Sequence, residues 1–158
     1  MSDGSSSENL TLIGKQVSQA ALRKCLEEAF PGEPLIRGTE PNWDALTLRA
    51  PNGAIDFAAL RPAVEKDPFF RLRGAMATVA KLGKGANPNA RKKVVDQIEK
   101  AELLVRVAGL PKLASVPRGL DVIGNLAQAM NAIVFTGEEF QDSRGRTLLA
   151  LPGDDDDD

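Results

Sequence analysis

The chain has 158 residues, enough for one ordinary domain, and 42 % of them are hydrophobic, which is sufficient for a buried core. Its formal net charge of −2 argues against the binding of polyanions by overall charge. Histidine and tyrosine are absent and Cys25 is the single cysteine, which excludes His-based catalytic triads, the usual zinc and haem ligand sets and an intrachain disulfide. No cofactor is expected.

Both termini are polar. Residues 1–8 are rich in Ser and acids and lack the apolar core of a signal peptide, so we expect a disordered segment. Residues 154–158 are five consecutive aspartates, which must stay hydrated and predict a solvated, disordered tail. Residues 9–153 are then a single domain. Because no run of 18 apolar residues occurs, we expect no membrane span and a cytoplasmic protein.

The first half of the chain alternates between strand and helix patterns. The residue spacing predicts, in order, a strand at 10–14, a helix at 18–30 and strands at 35–36, 45–50 and 54–60. Ser18 is the expected N-cap of the helix, and Pro31 stops it. Leu46 and Leu48 alternate with polar neighbours, which is typical of a half-buried strand.

The second half begins with two helices. The pattern predicts helices at 68–83 and 90–101, a strand at 102–110, a helix at 120–131, a strand at 132–137 and a hairpin at 138–151. The strand at 102–110 is a continuous apolar run interrupted by Arg106, so we expect it to be buried. Arg106 itself is expected to point toward an edge or to pair with a carboxylate.

This order of elements predicts an α+β fold with a mainly antiparallel sheet and helices on one face. The two ends look alike, since each reads as a helix, a strand, a turn and a second strand closed by Pro and Gly. They are either a duplicated βαββ unit or a chance similarity, and the sequence leaves both open. Exposed sheet edges could support a homodimer.

Three carboxylates lie close together in the terminal hairpin, at Glu138, Glu139 and Asp142. A calcium-binding loop needs ligands at alternating positions, a central Gly and a late Glu, and this spacing is absent. Asp at the first and Gly145 at the fourth position are typical of a β-turn. We therefore predict a structural turn and no metal site.

A basic segment lies between Asp67 and Asp96, where seven positive charges occur without an acid. These residues are Arg71, Arg73, Lys81, Lys84, Arg91, Lys92 and Lys93. They form either a solvated face or a contact surface for phosphates or for an acidic protein. The sequence GKGANPN lacks the Walker pattern, and the acidic pI and the missing reading motif argue against nucleic acid.

Two further side chains have alternative interpretations. Trp43 lies in the polar stretch GTEPNWDAL and is either an exposed binding anchor or a residue packed against the edge of the core. Cys25 lies between Leu22 and Leu26 on an apolar helix face, which favours a small core residue.

The last third of the chain runs from a strand through a helix to AIVFTG and the motif Phe-x-Asp-x-x-Gly-Arg-x-Leu-Leu. It resembles small bacterial α+β immunity proteins that are encoded beside secreted toxins of bacterial secretion systems. The resemblance implies a protein without catalytic activity that binds and neutralises a toxin. The candidate partner contacts are Trp43, Arg71, Arg73, Lys84, Arg91, Lys92 and Lys93.

Two other classes of function are weighed against an immunity or inhibitor protein. A small enzyme could use carboxylates such as Glu40, Asp44, Asp56 and Glu138, provided that two of them face one cleft in contrasting environments. A nucleic-acid-associated regulator could use residues 71–93, with binding that falls steeply as salt rises. The absence of His and of a nucleic-acid reading motif favours the binding protein.

Overall fold

The structure is a computed structural model. It describes residues 9–27, 29–30, 33–39, 41–51, 53–62, 66–84, 88–109, 112–113 and 118–151. The terminal segments predicted to be disordered, 1–8 and 154–158, lie outside the described residues. Within the described part no helix is long and apolar enough to cross a membrane.

The described residues form one antiparallel sheet of eight strands and four helices. In chain order the elements are β1 (Asn9–Gly14), α1 (Gln19–Glu27), β2 (Leu35–Arg37), β3 (Ala45–Ala50), β4 (Gly53–Leu60), α2 (Lys66–Ala80), α3 (Pro88–Glu99), β5 (Leu103–Ala108), α4 (Asp121–Met130), β6 (Ile133–Phe135), β7 (Glu139–Gln141) and β8 (Thr147–Ala150). The strand order across the sheet is β2-β3-β4-β5-β1-β6-β7-β8. The α+β class with a mainly antiparallel sheet is confirmed.

The helices cover both faces of the sheet, where the sequence predicted one. Leu22 of α1 and Leu126 of α4 pack in the same core cluster as Leu12 of β1. The next residue of β1, Ile13, belongs to a second cluster that contains residues of α2 and α3, such as Phe69. Because neighbouring strand residues point to opposite faces, the two clusters lie on opposite sides of the sheet. The prediction of a single covered face was therefore wrong.

The two similar ends of the chain occupy different places in the sheet. The strand that follows α1 is β2, at one edge, whereas the strand that follows α4 is β6, beside the central β1. Each helix is followed by three strands, as the strand patterns predicted, whereas the predicted repeat unit counted only two of them. The strand order therefore favours a similarity of local elements over a duplicated unit.

The ends of the helices follow the local chemistry of the sequence. The hydroxyl of Ser18 accepts a hydrogen bond of 3.2 Å from the N–H of Ala21, so Ser18 caps α1 as expected. At the end of α4, Asn131 adopts the left-handed conformation with φ 52°, and the N–H of Ala132 reaches back to the carbonyl of Ala127 at 2.8 Å. This cap turns the chain directly into β6.

Candidate partner-binding site

Trp43 is a core residue and its side chain is fully buried. Its indole N–H donates a hydrogen bond of 3.0 Å to the carbonyl of Val17. A buried indole needs such a partner, and the bond ties the loop before β3 to the loop after β1. Trp43 is therefore not available as an exposed anchor, and the alternative that it packs into the core is the one observed.

The basic segment forms much of the outer surface of α2 and α3. Arg71, Lys92 and Lys93 are exposed and make no hydrogen bond or ion pair with any described residue. Lys92 and Lys93 lie in the first half of α3, nearer its N-terminal end, so the helix dipole does not favour their positive charges. These three side chains are free to meet a partner of negative charge.

The other basic candidates have structural roles. The half-buried Arg73 lies with its guanidinium 5.1 Å from the ring centroid of Phe69 and 4.9 Å from that of Phe70, and it donates to the carbonyl of Ala101 at 3.2 Å. Arg91 donates to the carbonyl of Gly83 at 2.9 Å. Arg73 therefore connects α2 to the segment after α3, and Arg91 connects α3 to the segment after α2.

Lys84 closes part of one sheet edge. Its N–H and carbonyl form two hydrogen bonds of 2.9 Å with Ala150 of the edge strand β8. The backbone of Lys84 therefore shields β8 from a further strand, while its side chain remains exposed.

The terminal hairpin has the predicted turn. One carboxylate oxygen of Asp142 accepts hydrogen bonds from the N–H groups of Arg144 (2.9 Å) and Arg146 (3.0 Å), and the other accepts one from the Arg146 guanidinium (2.8 Å). Burial by itself would raise the pKa of Asp142, but the bonds from Arg146 and Arg144 together outweigh burial and lower it. No cluster of metal ligands occurs among the residues that the structure describes.

A groove of about 390 Å³ separates α3 from this hairpin. Lys93 and Gln97 line it from the helix, and Asp142, Ser143 and Thr147 line it from the hairpin. The structure therefore brings one exposed lysine of the basic segment next to the terminal turn, two features that are 49 positions apart in the sequence.

Arg61 is a buried charge that no pattern in the sequence singles out. Its side chain is 1 % exposed, donates to Gln16 at 3.0 Å and pairs with Asp44 at 3.3 Å. Burial lowers the pKa of Arg61, and the neighbouring carboxylate of Asp44 opposes this effect. One terminal nitrogen, Nη2, has no partner among the described residues. Asp44 thus serves as the counter-ion of a buried arginine.

The described carboxylates of the enzyme alternative, Asp44, Asp56 and Glu138, are dispersed. Asp56 accepts a hydrogen bond of 2.9 Å from Thr47 on the exposed sheet surface, and Asp44 lies beside Arg61. Glu138 is exposed, and Glu40 lies outside the described residues. The groove over the sheet contains one of these acids, Asp56, and the acid in the groove beside α3 is a different one, Asp142. Neither groove therefore brings two acids of the enzyme alternative together.

A second basic surface, which we call the arginine floor, lies on the sheet itself. It consists of the exposed side chains of Arg37, Arg49, Ala54, Asp56, Ala58, Arg106 and Ala108, together with the half-buried Ala45 and Thr47. The strand registers place all of these residues on the face that α2 and α3 cover only in part.

The three arginines of the floor carry no ion pair within the described residues, and they face a single carboxylate, Asp56. A shallow groove of about 490 Å³ begins beside Arg106 and extends past Thr11 to Phe135. Arg106 is therefore exposed on the face of a central strand, so neither the predicted position toward an edge nor a pairing with a carboxylate of the described residues is observed.

Comparison with known proteins identifies no relative. No family model, no curated protein and no solved structure matches the chain. The function must therefore be argued from the two basic surfaces and from the chemistry they allow.

Proposed function

We propose that the chain is a non-catalytic protein of the immunity or inhibitor type, which binds an acidic surface of a toxin and occludes it. The observation that carries this proposal is the set of exposed basic side chains on α2 and α3, Arg71, Lys92 and Lys93, which make no hydrogen bond or ion pair with any described residue. A layer of two packed helices presents these charges on a rigid support, which lowers the cost of ordering them on binding.

The charge distribution supports a partner of negative charge. The segment from 68 to 95 holds seven of the 20 basic residues and no acid, which leaves 13 basic against 22 acidic residues in the rest of the chain. Such asymmetry accelerates association with an oppositely charged protein and disfavours wrong partners. Fast association suits a protein that must capture a toxin inside the cytoplasm before the toxin acts.

Capture of a partner from the native host is the first test. The tagged full-length chain is used as bait, and bound proteins are identified by mass spectrometry after a wash at raised salt. We expect one stoichiometric protein partner with an acidic surface. Nucleic acid that is released by salt, with no protein partner, would contradict the proposal and favour the regulator.

Charge reversal then locates the contact. We expect Arg71→Glu, Lys92→Glu and Lys93→Glu together to weaken binding at least about tenfold, mainly through the association rate, because exposed charges act chiefly on that rate. The reversal of Arg23 and Lys24, two exposed charges of α1 on the opposite side of the sheet, is the control matched to the reversal of Lys92 and Lys93 alone. Equal effects of both sets would refute the assignment to α2–α3.

A further inference from the structure

The arginine floor is an uncovered part of the sheet face that α2 and α3 share. Ala54 and Ala58 of β4 and Ala108 of β5 belong to inner strands of the sheet, yet their side chains are exposed. No described element therefore packs on them. Small side chains of this kind leave a flat surface, and the longer arginines rise around it. Such a surface admits a convex element that can approach the strands closely.

The register fixes the width of this surface. Arg37 of β2 and Arg106 of β5 lie in one cross-strand row, joined through Ala45 and Ala58. Three strand spacings separate them, about 14 Å at about 4.8 Å per spacing. An α-helix with its side chains is about 10–12 Å across. A helix that runs along β3 and β4 therefore fits between the two arginines.

We propose that the arginine floor is a docking surface for an acidic amphipathic helix of a protein partner. Arg37 and Arg106 pair with carboxylates on the two flanks of the helix, and its stripe of small and apolar residues packs on Ala45, Ala54 and Ala58. Arg49 lies four residues along β3 from Ala45, in the path of the helix. Positive charge favours a helix C-terminus, so the helix ends near Arg49.

Asp56 adds one requirement to the occupant. It is the single carboxylate of the floor and accepts a hydrogen bond from Thr47 at 2.9 Å. A helix stripe that covers Asp56 must offer it a donor, since a covered carboxylate without enough partners is costly. The best partner helix therefore carries one Lys, Asn or Ser within its otherwise apolar stripe.

The residues of the arginine floor disfavour two other occupants, a second copy of the chain and a nucleic-acid strand. A second copy placed face to face would bring arginines against arginines. Single-stranded nucleic acid typically stacks on aromatic side chains, and the aromatic residue that lines the groove beside Arg106, Phe135, is half-buried with its ring centroid 4.6 Å from that of Phe140.

The test is a titration of the isotope-labelled full-length chain, followed by nuclear magnetic resonance. The probe is a synthetic 15-residue helical peptide rich in Glu, with a stripe of Ala and Leu. We expect signal changes at Arg37, Arg49 and Arg106, and weaker binding at raised salt. Arg106→Gln should weaken binding about three- to fivefold, whereas Asp56→Asn should tighten it about twofold or more, because this probe offers Asp56 no donor.

Arg23→Gln on α1 is the matched control and should leave the affinity unchanged. Signal changes confined to α2 and α3, or equal affinities of the Arg106 and Arg23 variants, would overturn the inference. Tighter binding of a thymidine oligonucleotide at the same residues would assign the floor to nucleic acid instead. If deletion of residues 1–8, without added peptide, shifts the signals of the floor residues, this segment occupies the floor. None of these results depends on Arg71, Lys92 or Lys93, so this proposal and the proposed function can fail separately.

Discussion

Replacement of Trp43 by Phe removes one buried hydrogen bond and part of a fully buried side chain. The carbonyl of Val17, itself a 4 % exposed residue, then loses its indole partner. An unsatisfied buried acceptor costs about 1–3 kcal/mol, and the smaller ring adds a cavity term. We expect the free energy of unfolding to fall by about 2–3 kcal/mol.

Urea unfolding measured by circular dichroism tests this expectation. With a urea dependence of about 2 kcal/mol per molar, the unfolding midpoint should fall by about 1–1.5 M. Leu82→Ala is a suitable control, because Leu82 is 62 % exposed and its truncation should change the free energy by less than about 0.5 kcal/mol. A Trp43→Phe variant as stable as this control would refute the assignment of Trp43 to the core.

Two further predictions concern the hairpin and the glycines. Asp142→Ala should destabilise the protein by about 1 kcal/mol at pH 7, through the lost bonds to the turn and to Arg146. Because the folded pKa of Asp142 is lowered, its contribution to stability is complete above the ordinary pKa of about 4 and is lost as the pH falls through the folded pKa. The difference in the free energy of unfolding between the protein and its Asp142→Ala variant should therefore be smaller at pH 3 than at pH 7. A constant difference would contradict this. Gly14→Ala should cost about 1–3 kcal/mol, since a Cβ would lie 2.6 Å from the carbonyl oxygen of Met130, whereas Gly124→Ala, which meets nothing within 4 Å, should be neutral or stabilising by up to about 1 kcal/mol in thermal unfolding.

The local elements were readable from the sequence because their signals are local. Alternation of Leu46 and Leu48 with polar residues predicted β3, and the Asp142 to Gly145 pattern predicted the turn of the last hairpin. One stretch of the sequence already argued against the prediction that helices cover a single face of the sheet. Leu103, Leu104 and Val105 are consecutive and all buried, which requires apolar layers on both sides of β5.

The arginine floor could not be predicted, because it exists only through strand pairing. Arg37, Arg49 and Arg106 lie in three different strands, and Arg106 is far from the other two along the chain. A slip of one residue in the register would turn Arg106 to the opposite face. The burial of Trp43 could not be predicted for a related reason. Its neighbours in the sequence are polar, and its partner Val17 lies 26 residues earlier in the chain.

The central position of β1 also has a consequence for the order of folding. Leu12 pairs with Val105 on one side and with Val134 on the other, so the first strand is completed only by segments from much later in the chain. Contacts of such long sequence separation pay their loop entropy before they gain stability, which slows folding. During synthesis β1 can therefore complete its pairing only after most of the chain has been made. A fragment that ends before β5 leaves both edges of β1 open to pairing with other chains.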